Sequence, residues 1–232
     1  MTTPNDFWSR RATSYDAQLR SDEAAYVSRI KAALSLLGKN HRILDIGCAT
    51  GEIGLDLATS VAHYEGCDPA DGMIAIAREK ARERRIANAR FYATSAFDQI
   101  FERGGYDAVL IFSVLHLVPD AEALLDRAQE LLRPNGTLIV ETPSLGEQII
   151  LKRFMIKAYT TPIKGLCIRS LRYCETEELV RGAGFDILQS RETQREDRMF
   201  WISARKTDAH ARKSNADVQI RGSDALPKLK AV

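Results

Sequence analysis

The run Ile43-Leu44-Asp45-Ile46-Gly47-Cys48-Ala49-Thr50-Gly51-Glu52-Ile53-Gly54 constrains this chain more than any other. Ile43, Leu44 and Ile46 read as a short buried strand, with Asp45 near its end. Gly47 and Gly51 frame a tight turn, and Glu52 to Ala58 reads as a helix. A strand that passes through glycines into a helix brings main chain and a helix N-terminus close to a ligand. Glycine is needed there because a Cβ would block the approach or forbid a left-handed backbone. A second acid, Asp68, ends the following strand, 21 positions after Gly47. A carboxylate at that place accepts hydrogen bonds from both hydroxyls of a ribose, so the ligand should carry one.

The rest of the chain alternates strands with helices. Apolar residues at Tyr26, Val27, Ile30, Ala33, Leu34 and Leu37 predict a helix over 22–37, stopped by Gly38. Strands are expected at 62–67, 90–93, 107–112 and 137–141, the last after a turn at Pro134-Asn135-Gly136. Helices are expected over 72–86, with Asp71 as N-cap, and from Pro119-Asp120 to Leu132. The charged face from Arg78 to Arg85 is expected to be solvated. Phe185–Ser190 and Met199–Ala204 are strand-like and joined too briefly for a parallel crossover, so they must be antiparallel. The expected fold is therefore α/β: a seven-stranded Rossmann-like sheet, mostly parallel with a C-terminal antiparallel hairpin and helices on both faces. Residues 1–38 form an N-terminal helical cap, with Phe7, Trp8 and Tyr15 folded back on the domain. Residues 39–205 form the ligand-binding domain, and the polar, aperiodic stretch 206–232 is expected to be disordered.

Composition removes several classes of function. A length of 232 residues suits one decorated domain, and a formal net charge of +2 gives no argument for nucleic acid. No apolar run is long enough to span a membrane, and the N-terminus lacks the apolar core of a signal peptide. Cys48, Cys67, Cys167 and Cys174 form no CxxC pair, so a reduced cytoplasmic protein is the simplest reading. His41, His63, His116 and His210 show no metal-ligand spacing, and no metal is expected.

The turn with Asp45 and Asp68 resembles the first motifs of the class I S-adenosylmethionine-dependent methyltransferases, roughly hhDhGxGxG, with Ala49 where the family often has glycine. The resemblance runs over most of 41–143 and more loosely to 204. Cys67-Asp68-Pro69-Ala70-Asp71-Gly72-Met73 resembles the segment after the ribose acid, and Ala93 to Asp98 resembles the adenine-edge segment. Tyr106 to Asp120 and Leu131 to Pro143 resemble the fourth- and fifth-strand motifs. Phe7 to Asp16 resembles the cap of quinone, lipid and small-molecule methyltransferases. The resemblance implies S-adenosyl-L-methionine as cofactor, held by Tyr15, Asp45, Gly47, Cys48, Ala49, Gly51, Asp68, Pro69, Met73, Ser95, Ala96, Phe97 and Phe112. Asp68 would hold the ribose. Met73 would pack near adenine, though it reads more readily as a core residue than as a dedicated ligand contact. Ser95, Ala96 or Phe97 would meet the base. His116 follows the fourth strand and is the candidate general base.

The implied reaction is in-line attack on the cofactor's methyl group, with a small or lipophilic acceptor. Two other readings stand beside it. A nicotinamide-dependent oxidoreductase would need Ala49 to Gly54 as a degenerate AxGxxG, and no Tyr-x-x-x-Lys pair accompanies it. A non-catalytic cofactor-binding module on the same fold is the other, because fold does not fix function. Nucleic-acid methylation is disfavoured, since Phe112-Ser113-Val114-Leu115 stands where an Asn/Asp-Pro-Pro-aromatic run would be. From Gln148 to Cys174 six basic residues and no acid are interleaved with apolar ones. That stretch reads as an amphipathic helix packed on the domain, as a substrate lid, or as a peripheral contact with an anionic membrane.

Overall fold

The computed structural model describes residues 3–147, 168–193 and 199–207. Most of the basic stretch, 148–167, and the tail from 208 onward lie outside the described residues, as do the expectations placed on them. Two helices come first, α1 (Pro4–Gln18) and α2 (Glu23–Leu34). Then follow β1 (Arg42–Ile46), α3 (Glu52–Ala58), β2 (His63–Cys67), α4 (Asp71–Glu83) and β3 (Ala89–Tyr92). β4 (Tyr106–Phe112), α5 (Ala121–Leu131) and β5 (Leu132–Pro143) continue the alternation, and α6 (Tyr173–Gly182) leads into β6 (Phe185–Glu192) and β7 (Met199–Lys206).

The strands form one seven-stranded sheet in the order β3-β2-β1-β4-β5-β7-β6. β1 to β5 are parallel neighbours, and β7 runs antiparallel to both β5 and β6. The sheet is the one read from the sequence. Because side chains alternate across a strand, each central strand feeds both faces. Leu44, Val109, Leu138 and Val140 pack toward Leu124, Leu125 and Val180 on one side. Ile43, Leu110, Ile139 and Trp201 pack toward Ala33, Leu55, Ile74 and Ala77 on the other.

Several boundaries differ from expectation. Asp71 is the first residue of α4, not its cap; Ala70 occupies the cap and makes no side-chain cap bond. α2 ends at Leu34 with Ser35 as its cap, four residues before Gly38. The turn at 134–136 lies within β5, where Asn135 adopts φ 60° and pairing with β4 jumps from Tyr106–Leu132 to Ala108–Thr137. Extra residues on one strand are absorbed as a bulge, so a turn sequence need not end the element. Asp120 does cap α5, accepting from the Ala123 amide at 2.8 Å. Among the described residues no helix is long and apolar enough to cross a membrane.

Candidate cofactor site and acceptor edge

The connections of β1 and β4, neighbours in the sheet, leave toward opposite faces. Their C-terminal ends therefore border a crevice, the usual ligand position in open α/β sheets. The glycine turn lines it. Gly47 has φ +74°, and a Cβ there would lie 2.1 Å from Val114 Cγ2 in the loop after β4. The Gly47 and Cys48 amides donate to the Cys67 carbonyl at 2.7 and 3.0 Å, pinning the turn to the end of β2. Ala49 is also left-handed, φ 48°, where alanine stands in place of the commoner glycine. Gly51, φ +71°, caps α3.

Asp68 is fixed from both sides. Its Oδ2 accepts from the Ala49 amide at 3.2 Å and its Oδ1 from the Ala70 amide at 2.8 Å. Burial raises its pKa, and the two amides oppose the rise. Each oxygen keeps a second lone pair, the number a ribose diol requires. Asp45 is buried, and its Oδ2 accepts from the Tyr64 hydroxyl at 2.8 Å. Its Oδ1 is buried with no hydrogen-bond partner. Burial pushes its carboxyl up to about 7, against the Tyr64 hydrogen bond.

The cap closes over this region. Trp8, Tyr15 and Ala49 pack against Ala12, Ala70 and Met73. The Tyr15 and Trp8 rings meet edge to face, 6.2 Å apart. Burial raises the pKa of the Tyr15 phenol, and the Asp68 and Asp45 charges add to the rise against that of Arg29. Met73 is buried. Ala96 is buried and its carbonyl accepts from Arg127 Nε at 3.0 Å, whereas Ser95, Phe97 and Pro69 are exposed. Phe112 is stacked on Trp201 within the core, ring centroids 5.9 Å apart. Cys48 and Cys67 are buried fillers whose thiols burial pushes up.

His116 lies beyond the end of β4. Its Nδ1 is 3.4 Å from Thr142 Oγ1, and burial lowers its pKa to about 4, so the ring is neutral near pH 7. Sequence reasoning missed a buried ion pair. Arg29, on α2, forms a buried ion pair through Nε with Glu141 at the end of β5. The Arg29 charge also acts on Asp45 and Tyr15. The available signal was positional: Arg29 falls between Tyr26 and Ala33, three and four residues away, on the stripe that α2 buries. The charged face of α4 corrects the expectation of a solvated run. Arg78 donates twice to the Phe91 carbonyl, and Lys80 and Arg84 reach buried Glu52, at 2.6 Å in each case.

These groups suit an adenosyl-bearing amino acid. Asp68 matches a ribose, the unpartnered Asp45 oxygen matches an ammonium, and Arg29 matches a carboxylate.

The comparisons with known proteins agree. Residues 37–197 match the model of a methyltransferase-domain family. The ubiquinone biosynthesis O-methyltransferase of Azorhizobium caulinodans is 39% identical over 45% of this chain and 41% of its own length. The demethylmenaquinone methyltransferase of Beutenbergia cavernae is 31% identical over 65% of this chain and 63% of its own. The chain thus spans less than two thirds of these curated relatives. An S-adenosylmethionine-dependent methyltransferase from Thermotoga maritima shares the fold at TM-score 0.66 and 22% identity, covering 86% of this chain and 98% of that one. With the glycine turn and its two carboxylates in place, the chain belongs to the methyltransferase-domain family, whose model it matches over more than half its length.

Proposed function

We propose that this protein transfers a methyl group from S-adenosylmethionine to a small lipophilic acceptor. The observation that carries it is Asp68, held by amides from the glycine turn and from the start of α4, beside a turn that only glycine allows at 47. The cofactor supplies an electrophilic methyl on a good leaving group. The chain's own residues then have three tasks. Asp68 binds the ribose hydroxyls, with Met73 and the Ala96 segment on the adenine side. Asp45 and Arg29 take the two ends of the amino-acid moiety, and Glu141 orients Arg29. Tyr15 and the rest of α1 exclude water, so that alignment and desolvation do most of the work. His116, neutral and directed by Thr142, accepts the acceptor's proton where that acceptor is a hydroxyl.

The lipophilic acceptor is supported by the names of the quinone-pathway relatives. Methyl transfer from labelled cofactor to a panel of catechols, phenols and short-chain quinols tests the reading. Turnover on a lipophilic phenol or quinol is expected. Calorimetry showing no binding of S-adenosylmethionine or its demethylated product would remove it.

A further inference from the structure

We propose that Asp16 and Thr50 form a latch through which the cap sets cofactor affinity, although neither residue is among those assigned to the cofactor. The proposal rests on the functional reading above and concerns how the same site is held closed.

Thr50 lies inside the glycine turn, fully buried, between Ala49 and Gly51. Its hydroxyl donates to Asp16 Oδ1 on α1 at 2.5 Å. The same oxygen takes Lys80 Nζ from α4, and that ammonium also holds Glu52 Oε2, at the start of α3, at 2.6 Å. Arg84 adds two bonds to Glu52 at 2.6 and 2.7 Å, and Arg20 Nε adds one at 2.9 Å. Tyr26 on α2 donates to Asp56 at 2.8 Å and to the Glu52 carbonyl at 3.2 Å. Cap, turn and α4 are therefore joined by one polar network whose main members are largely buried: 7% of the Glu52 side chain, 13% of Lys80 and 26% of Asp16 are exposed.

The network does more than fasten a helix. Asp16 follows Tyr15, which covers the crevice, and it grips the residue next to Ala49, whose amide holds Asp68. One carboxylate thus fixes the roof and the floor of the pocket relative to each other. A closer independent of the cofactor would grip the outer end of α4; this one grips the turn. A second bond on the same seam, the Gly72 amide to Ser9 Oγ at 3.2 Å, ties α1 to the helix start just past Asp68. A preorganised pocket binds more tightly because less ordering remains to be done on binding.

The test uses the full chain and the demethylated cofactor product, S-adenosylhomocysteine, titrated by calorimetry. Asp16→Ala and Thr50→Val should each raise its Kd about tenfold, equivalent to about 1.4 kcal/mol. The double variant should be no worse than Asp16→Ala alone, because that change already removes the bond that Thr50→Val breaks, along with the Lys80 contact. Thr50→Ser, which keeps the hydroxyl, should lie within about twofold of wild type. KM for the cofactor should rise in the first two variants while kcat at saturation stays within about twofold. Arg82→Ala, which removes an exposed pair on the same helix, serves as the control and should change nothing. A lower Tm with unchanged Kd would reduce the latch to a structural clip and overturn the proposal, as would additive losses in the double variant. Wild-type protein that binds no S-adenosylhomocysteine would overturn the functional reading, and the latch with it.

Discussion

At the scale of single residues, the crevice depends on groups held in states they would not adopt in water. Gly47→Ala would force a Cβ onto Val114 and a left-handed backbone on alanine, at about 1–2 kcal/mol for the backbone alone. Cofactor affinity should fall at least tenfold by calorimetry. Asp45 is a sharper case. Its folded pKa of about 7 lies above its unfolded value of about 4. The native state therefore holds a proton that the unfolded chain has lost, and stability falls as pH rises between those values. Asp45→Asn should raise the Tm of the cofactor-free protein at pH 8 by several degrees, and the gain should vanish near pH 4. The same change should weaken cofactor binding at pH 8 about tenfold, because an ammonium loses its ionised partner. His116→Asn should lower kcat by roughly 10²-fold or more on a hydroxyl acceptor. With its ring already neutral, the wild-type kcat profile should show no inflection near pH 6.5.

At the scale of elements, legibility followed the reach of each signal. Gly47, Gly51, Asp45 and Asp68 were readable because a turn's backbone and a strand's end are local properties. β5 was harder to bound: the turn at 134–136 is real in its backbone, with Asn135 left-handed, yet the strand runs through it as a bulge. The charged face of α4 misled because periodicity distinguishes an apolar stripe from a polar one but does not show what the polar one faces. Lys80 and Arg84 face Glu52, 28 and 32 residues away in sequence. Arg29 and Glu141 are further apart still and meet only once α2 crosses the end of β5. Burial disfavours ionised Glu52, but hydrogen bonds from Arg84, Lys80 and Arg20 win and hold its pKa near 2. Its contribution is complete above its ordinary carboxyl range and is lost only as pH falls toward 2. Glu52→Gln leaves three cations facing a neutral amide and should cost about 3 kcal/mol, measured by urea unfolding at pH 7. The loss relative to wild type should shrink as pH approaches 2.

At the scale of the whole molecule, the last strand is not at the edge. β7 lies between β5 and β6, and Met199 to Ala204 are buried throughout. It pairs with β5 from Pro143–Met199 to Thr137–Arg205 and with β6 along its other side. A chain ended at residue 198 should therefore lose more than a terminal strand. The expected result is no cooperative thermal transition by circular dichroism and loss of the near-ultraviolet signal of Trp201 and its neighbours. The order of the sheet also bears on synthesis. A ribosome delivers β1 to β6 before the strand that joins β5 to β6. Until residue 206 has cleared the exit tunnel, the rim of β5 is left bare and β6 has no neighbour to register against. Translation that pauses before that point would then hold a nascent chain at its most adhesive stage, with the crevice-forming half complete and its flank still open.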